Sequence, residues 1–212
     1  MTGRGLRALV VSVAAVVAAS GCSGGGDGDA PAVAAVVEGQ EIQAAETEKL
    51  LHAHLDEEET AAGDSHGHDG DREERAGRFV LLYQIKHALV RHLAAGMGLP
   101  EPPPGEEPDA AAGRLSREMA ERLFPAVEIT EAELRSEYDR RARSPEPFPG
   151  VPVGVDVAVP SFEEVHAQLR TQLLEERRQA LFADWFDKAL RTADIVVDER
   201  YGRWDAERGV VQ

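Results

Sequence analysis

Cysteine is almost absent: Cys22 stands alone in 212 residues, so no disulfide can form within the chain and any fold rests on burial. Aromatic residues make up only 5%, which leaves a core of Leu, Val and Ala. Positive charge is scarce, with 23 Lys and Arg against 39 Asp and Glu. A net charge of −16 argues against nucleic acid, because phosphate recognition needs a cationic footprint. Long hydrophobic runs are missing too. The apolar stretch at residues 8–19 is far short of the ~20 residues that span a bilayer as a helix. No G-x-S-x-G, P-loop, Rossmann glycine pattern, H-E-x-x-H or catalytic cysteine occurs, so the chain reads as something other than an enzyme. What it does have is 42% apolar residues, enough for a core.

The N-terminus carries Arg4 and Arg7, the apolar stretch, and then Ser20, Gly21 and Cys22, which is the layout of a signal peptide over residues 1–21. The small residues directly before Cys22 resemble a bacterial lipobox, although Ala19 stands where Leu is usual. The resemblance implies cleavage before Cys22, a diacylglycerol thioether on its sulfur with further acylation such as palmitate, and anchoring on the outer face of the cytoplasmic membrane. Residues 22–30 follow as a flexible polar tether, and loss of the two arginines would take the charge from −16 to −18.

Residues 31–205 read as one mainly helical domain. A strand is expected at 31–37, ending in a turn at Gly39, and its partner should be the β-branched run 195–197. Helices are expected at 44–55, with Leu50, Leu51 and Leu55 buried, and at 78–97, with Phe79, Leu82, Tyr83, Leu89, Val90, Leu93 and Met97 on one stripe ended by Gly96, Gly98 and Pro100. A stiff linker at 101–108 leads to a helix at 110–123 capped by Asp109. Thr130 and Glu133 form a capping box with Ile129 and Leu134 as a staple, so a helix starts there and ends near Arg143. Valines 151, 153, 155, 157 and 159 alternate with other residues, and Pro152 confines that run to an edge strand or a strap over 144–160. A second capping box, Ser161 with Glu164, opens a helix of about thirty residues. Phe162, Val165, Leu169, Leu173 and Ala180 form its stripe, and Leu181, Phe182, Trp185, Phe186, Ala189 and Leu190 suggest an enclosed second half. Residues 206–212 read as a tail.

Between the first two helices, residues 56–74 are acidic, Gly-containing and nearly free of apolar side chains, which predicts a mobile loop. His52, His54, His66 and His68 cluster around it with Asp69 and other carboxylates, a donor set competent for zinc, copper or nickel. His87, His92 and His166 read as ordinary surface or near-surface residues.

The order of these elements, with G-Q-E-I after the first strand, I-T-E-A-E-L at a helix start, and P-S-F-E-E-V leading a long helix into A-D-I-V-V-D and Y-G-R-W-D, resembles the SurA and PrsA type of exported chaperone. It looks most like actinobacterial lipoproteins with a SurA-like N-terminal domain. The resemblance implies a helical cradle with a long C-terminal helix, closed by a small two-stranded sheet that pairs the chain ends. It also implies clients that are unfolded or extended exported polypeptides, held between the long helix and its neighbours. The parvulin prolyl isomerase domain common in that family has no room here: seventeen residues, 144–160, cannot build one. The expectation is therefore a lipid-anchored chaperone-like protein without isomerase activity and with no cofactor. The alternatives are a surface lipoprotein that binds zinc, copper or nickel through the His/Asp-rich loop, zinc first among them as a cofactor, or a structural lipoprotein whose valine strap fills the groove.

Overall fold

The computed structural model describes residues 32–62, 69–143, 148 and 159–212. Cys22 with its signal peptide and tether, His66, His68, and the valine run as far as residue 158 lie outside the described residues.

The chain ends do pair. Strand β1 (Val33–Val37) lies antiparallel to β3 (Ile195–Val197), with Val36 opposite Val196. On the other side of β1 a third strand joins, β2 (Gln40–Gln43), giving the order β2-β1-β3. The β1–β2 turn is two residues, Glu38 and Gly39, with φ of 49° and 77°. Two consecutive left-handed residues make the turn whose twist matches the flanking strands. Glu38 tolerates that conformation because Asp194 holds it from both sides. The Glu38 N–H donates to the Asp194 carbonyl at 2.8 Å, and the Asp194 N–H donates to the Glu38 carboxylate at 3.0 Å.

Helix α1 (Ala44–Ala62) and helix α2 (Asp69–Gly96) both run into the segment expected as a mobile loop. Residues 56–62 and 69–74 are helical. Glu, Ala and Arg have high helix propensity, the Arg78–Glu74 ion pair supports α2 along its own length, and the Arg72–Glu58 pair ties α2 to α1, so low hydrophobicity alone did not decide the outcome. Leu51 is buried, whereas Leu50 and Leu55 are half-buried.

Helix α2 is the centre of the molecule, buried on two sides. Leu81, Ile85, Ala88 and Leu89 pack under the sheet with Leu190 and Val211, while Val90, Ala94 and Leu99 pack against helix α3 (Pro108–Leu123) through Leu115, Met119 and Ala120. A single expected stripe is thereby corrected: Phe79 is 59% exposed and stacks on His54 at 5.1 Å, because it falls between the two buried faces. The end of α2 is a Schellman turn. The Gly98 N–H donates to the Ala95 carbonyl and Leu99 N–H to that of Ala94, with Gly98 at φ 69° and Leu99 packed in the cluster that holds Ala94. Asp109 is not the cap of α3: Glu107 occupies that position without a side-chain bond, and Pro108 takes the first helical place.

Helix α4 (Glu131–Ala142) and the first half of helix α5 (Phe162–Thr192) form an arm with its own small core of Ile129, Leu134, Phe162 and Leu169. Both capping residues act as expected. Thr130 N–H donates to Glu133 at 2.8 Å and receives the Glu133 N–H on its hydroxyl, and Glu164 accepts from both the N–H and the hydroxyl of Ser161. Polar contacts complete the arm. Glu131 meets His166 at 2.9 Å and also Arg170, Glu133 meets Arg177 at 2.7 Å, Glu137 meets the buried Arg141 at 2.7 Å, and the Arg135 guanidinium lies 3.8 Å from the Phe162 ring centre. His166 is thus a bridge between helices. The second half of α5 is one-sided rather than enclosed: Phe182 and Leu190 are buried, but Leu181 is 37% exposed and Ala180 also faces solvent. Residues expected as a tail fold back instead, with β4 (Trp204–Asp205) pairing with β5 (Val210–Val211) so that Val211 enters the core.

Candidate functional site

A cleft of about 560 Å³ lies between the start of α1, the middle of α2 and the α2–α3 linker. This is not the groove expected beside the long helix, since no α5 residue lines it. Strand β2 forms one wall with Glu41, Ile42 and Gln43, continued by Ala45, Glu46 and Leu50 of α1. Facing it are Tyr83, Gln84, His87 and Arg91, which recur on one side of α2 at helical spacing. Pro102, Pro108 and Ala112 close the third side. A second cleft of about 440 Å³ shares Arg91, Pro102 and Glu106 with the first, so the two adjoin along the linker.

The cleft is built on a rigid base. Thr47 is fully buried and donates from its hydroxyl to Gln84 Oε1 at 2.7 Å, which fixes α1 against α2 beneath the opening. Asp109, in the first turn of α3, accepts from the Tyr83 hydroxyl at 2.8 Å and lies 3.3 Å from His87 Nε2, while the Tyr83 and His87 rings are 4.0 Å apart. Burial and this carboxylate push the Tyr83 phenol up to about 12. Burial pushes the His87 imidazole below its ordinary value; Asp109 pulls against that shift and Arg91 adds to it. Both rings are therefore neutral at pH 7, and they serve as hydrogen-bonding walls rather than charges. The linker is held by Glu106, which takes two bonds from Arg114, at 3.1 and 2.9 Å.

The metal candidates are not brought together where they can be described. His52 and His54 stand on α1 two residues apart, a spacing that points side chains to different faces. His52 is exposed, and His54 is occupied by Glu58 and Phe79. Asp69 is the first residue of α2. Among the described residues no group of three His, Asp, Glu or Cys side chains is arranged to hold an ion. No described helix is long and apolar enough to cross a membrane.

Sequence reasoning missed every wall of the cleft. Tyr83 and His87 at i and i+4 were a visible pair, but their partner Asp109 comes from an element 26 residues on from Tyr83. No protein family, curated protein or solved structure matches the chain.

Proposed function

We propose that this protein is a lipid-anchored, extracytoplasmic, chaperone-like protein that holds extended segments of other polypeptides, without prolyl isomerase activity. The anchor rests on Cys22 and the residues before it. The observation that carries the binding role is the open cleft running along β2, the outer strand of its sheet. An outer strand offers a row of backbone donors and acceptors to any extended chain, and no strand pairs with the far side of β2 among the described residues. Apolar side chains of the guest find Ile42, Leu50, Pro102 and Ala112 alongside. The size falls within the ~300–1,000 Å³ of ordinary binding pockets.

The protein should suppress aggregation of an unfolded model polypeptide at near-stoichiometric ratio. It should also bind an extended apolar peptide whose affinity drops when alternate backbone amides are N-methylated. No suppression and no peptide binding would sink the proposal. Binding indifferent to N-methylation would retain a client site but remove strand addition.

A further inference from the structure

Charge is distributed unevenly around the cleft. Glu41 and Glu46 are exposed on the β2–α1 wall, and neither meets a cation among the described residues; Glu41 accepts only from Gln43 Nε2, at 3.2 Å. Glu106, the third carboxylate of the lining, is already neutralised by Arg114. Between the two free carboxylates in sequence, Gln43 Oε1 is buried and receives no hydrogen bond among the described residues. One wall thus carries three acceptors with too few donors. Among the described lining residues the other wall has one cation, Arg91, which both clefts share. His87 adds none, being held neutral by its burial.

We infer that the extended segment taken by this cleft carries a basic side chain, lysine or arginine, whose cation docks against Glu41, Gln43 and Glu46. This rests on the polypeptide-binding reading above and names its substrate class: apolar segments punctuated by a positive charge. An ammonium has three donors and no acceptor, which suits a wall made of acceptors. An acidic guest side chain would meet like charge there, and would be tolerated only at the Arg91 end. The chain's net charge of −16 works in the same direction by drawing cationic segments toward it.

Three peptides of one apolar extended sequence, differing only in a central lysine, norleucine or glutamate, distinguish the outcomes when titrated against the full chain in mild detergent. The lysine peptide should bind most tightly and the glutamate peptide least. Exposed ion pairs contribute modestly, so Glu41→Gln or Glu46→Gln should each weaken lysine binding by about two- to fivefold and leave the norleucine peptide unchanged. In about 1 M salt, where screening acts within roughly 3 Å, the three affinities should converge. Equal affinities at low salt, or a lysine preference that survives the double substitution in a chain with unchanged circular dichroism, would overturn the inference and leave polypeptide binding standing. If none of the three binds, the proposed function itself fails and takes the inference with it.

Discussion

The body around α2 and the arm of α4 with the first half of α5 are held in opposite ways. In the body, side chains such as Leu81 and Ile85 are fully buried among other apolar groups, and each such burial contributes roughly 1.5–3 kcal/mol. In the arm a small apolar core around Ile129, Leu134, Phe162 and Leu169 is surrounded by Glu131, Glu133, Glu137, Arg141, His166, Arg170 and Arg177 in hydrogen bonds and ion pairs between α4 and α5 or along α4. The exposed pairs among these contribute about 0–1 kcal/mol apiece; Glu137 with the buried Arg141 is the exception, where removing one partner would strand a buried charge. They give α4 a fixed register on α5 more than a deep energy well. The body is therefore the stable frame that carries the cleft, and the arm is a polar appendage that solvent conditions can reach.

The sharpest way to break this comparison is Ile85→Ala. It should cost about 2–5 kcal/mol in urea unfolding and lower amide protection in every helix, including α4. An arm that kept its protection would prove to be independently stable.

Acid should separate the two regions next. Hydrogen bonds from Thr130, and a further one from Arg177, hold the Glu133 carboxyl down to about 2; bonds from Arg140 and Arg141 do the same for Glu137. Their folded values lie below the unfolded one near 4.5, so their contribution is complete above about pH 4.5 and is lost as pH falls toward 2. Amide exchange should show α4 opening in that window while α2 stays protected. The body's own titration has a different position. His87 is lowered from 6.5, so the unfolded chain binds the extra proton first, and stability declines as pH drops from above 6.5 through the lowered value. His87→Gln should flatten that part of the profile alone.

The smallest effect is expected from Thr130→Ala, about 1 kcal/mol, confined to α4 and accompanied by a rise of the Glu133 carboxyl toward its ordinary range. A loss felt equally in α2 would mean that arm and body unfold as one unit.

The same contrast explains what could be read from the sequence. The arm's helix starts were legible because a capping box is a local device: Thr130 with Glu133, and Ser161 with Glu164, need no tertiary partner to be recognised. The β1–β3 pairing was legible because each strand is a short β-branched run with few rivals. Strand β2 was not, since Ile42 is its only apolar residue and its Glu38-Gly39 turn lacks the usual Asn or Asp. Helix α2, buried on two sides, does not show the single stripe a periodicity argument seeks, which is why Phe79 was placed inside. The cleft was out of reach altogether. Its walls come from residues near 41–50, 83–91 and 102–112, and only packing brings those three stretches to one opening.

The antiparallel joining of β1 to β3 also fixes an order of events. Val36 finds Val196 160 positions later, and the core beneath them also needs Val211. A chain emerging from its N-terminal end can wind α1 through α4 early, but its central layer stays open until residues beyond 195 arrive. Contacts of such separation are slow to form. During that interval β2 and α2 can cover one edge and one face of β1, while the edge that β3 will take stays unpaired. An open strand edge is a pairing template for other chains, and here the last residues of the fold are what close it.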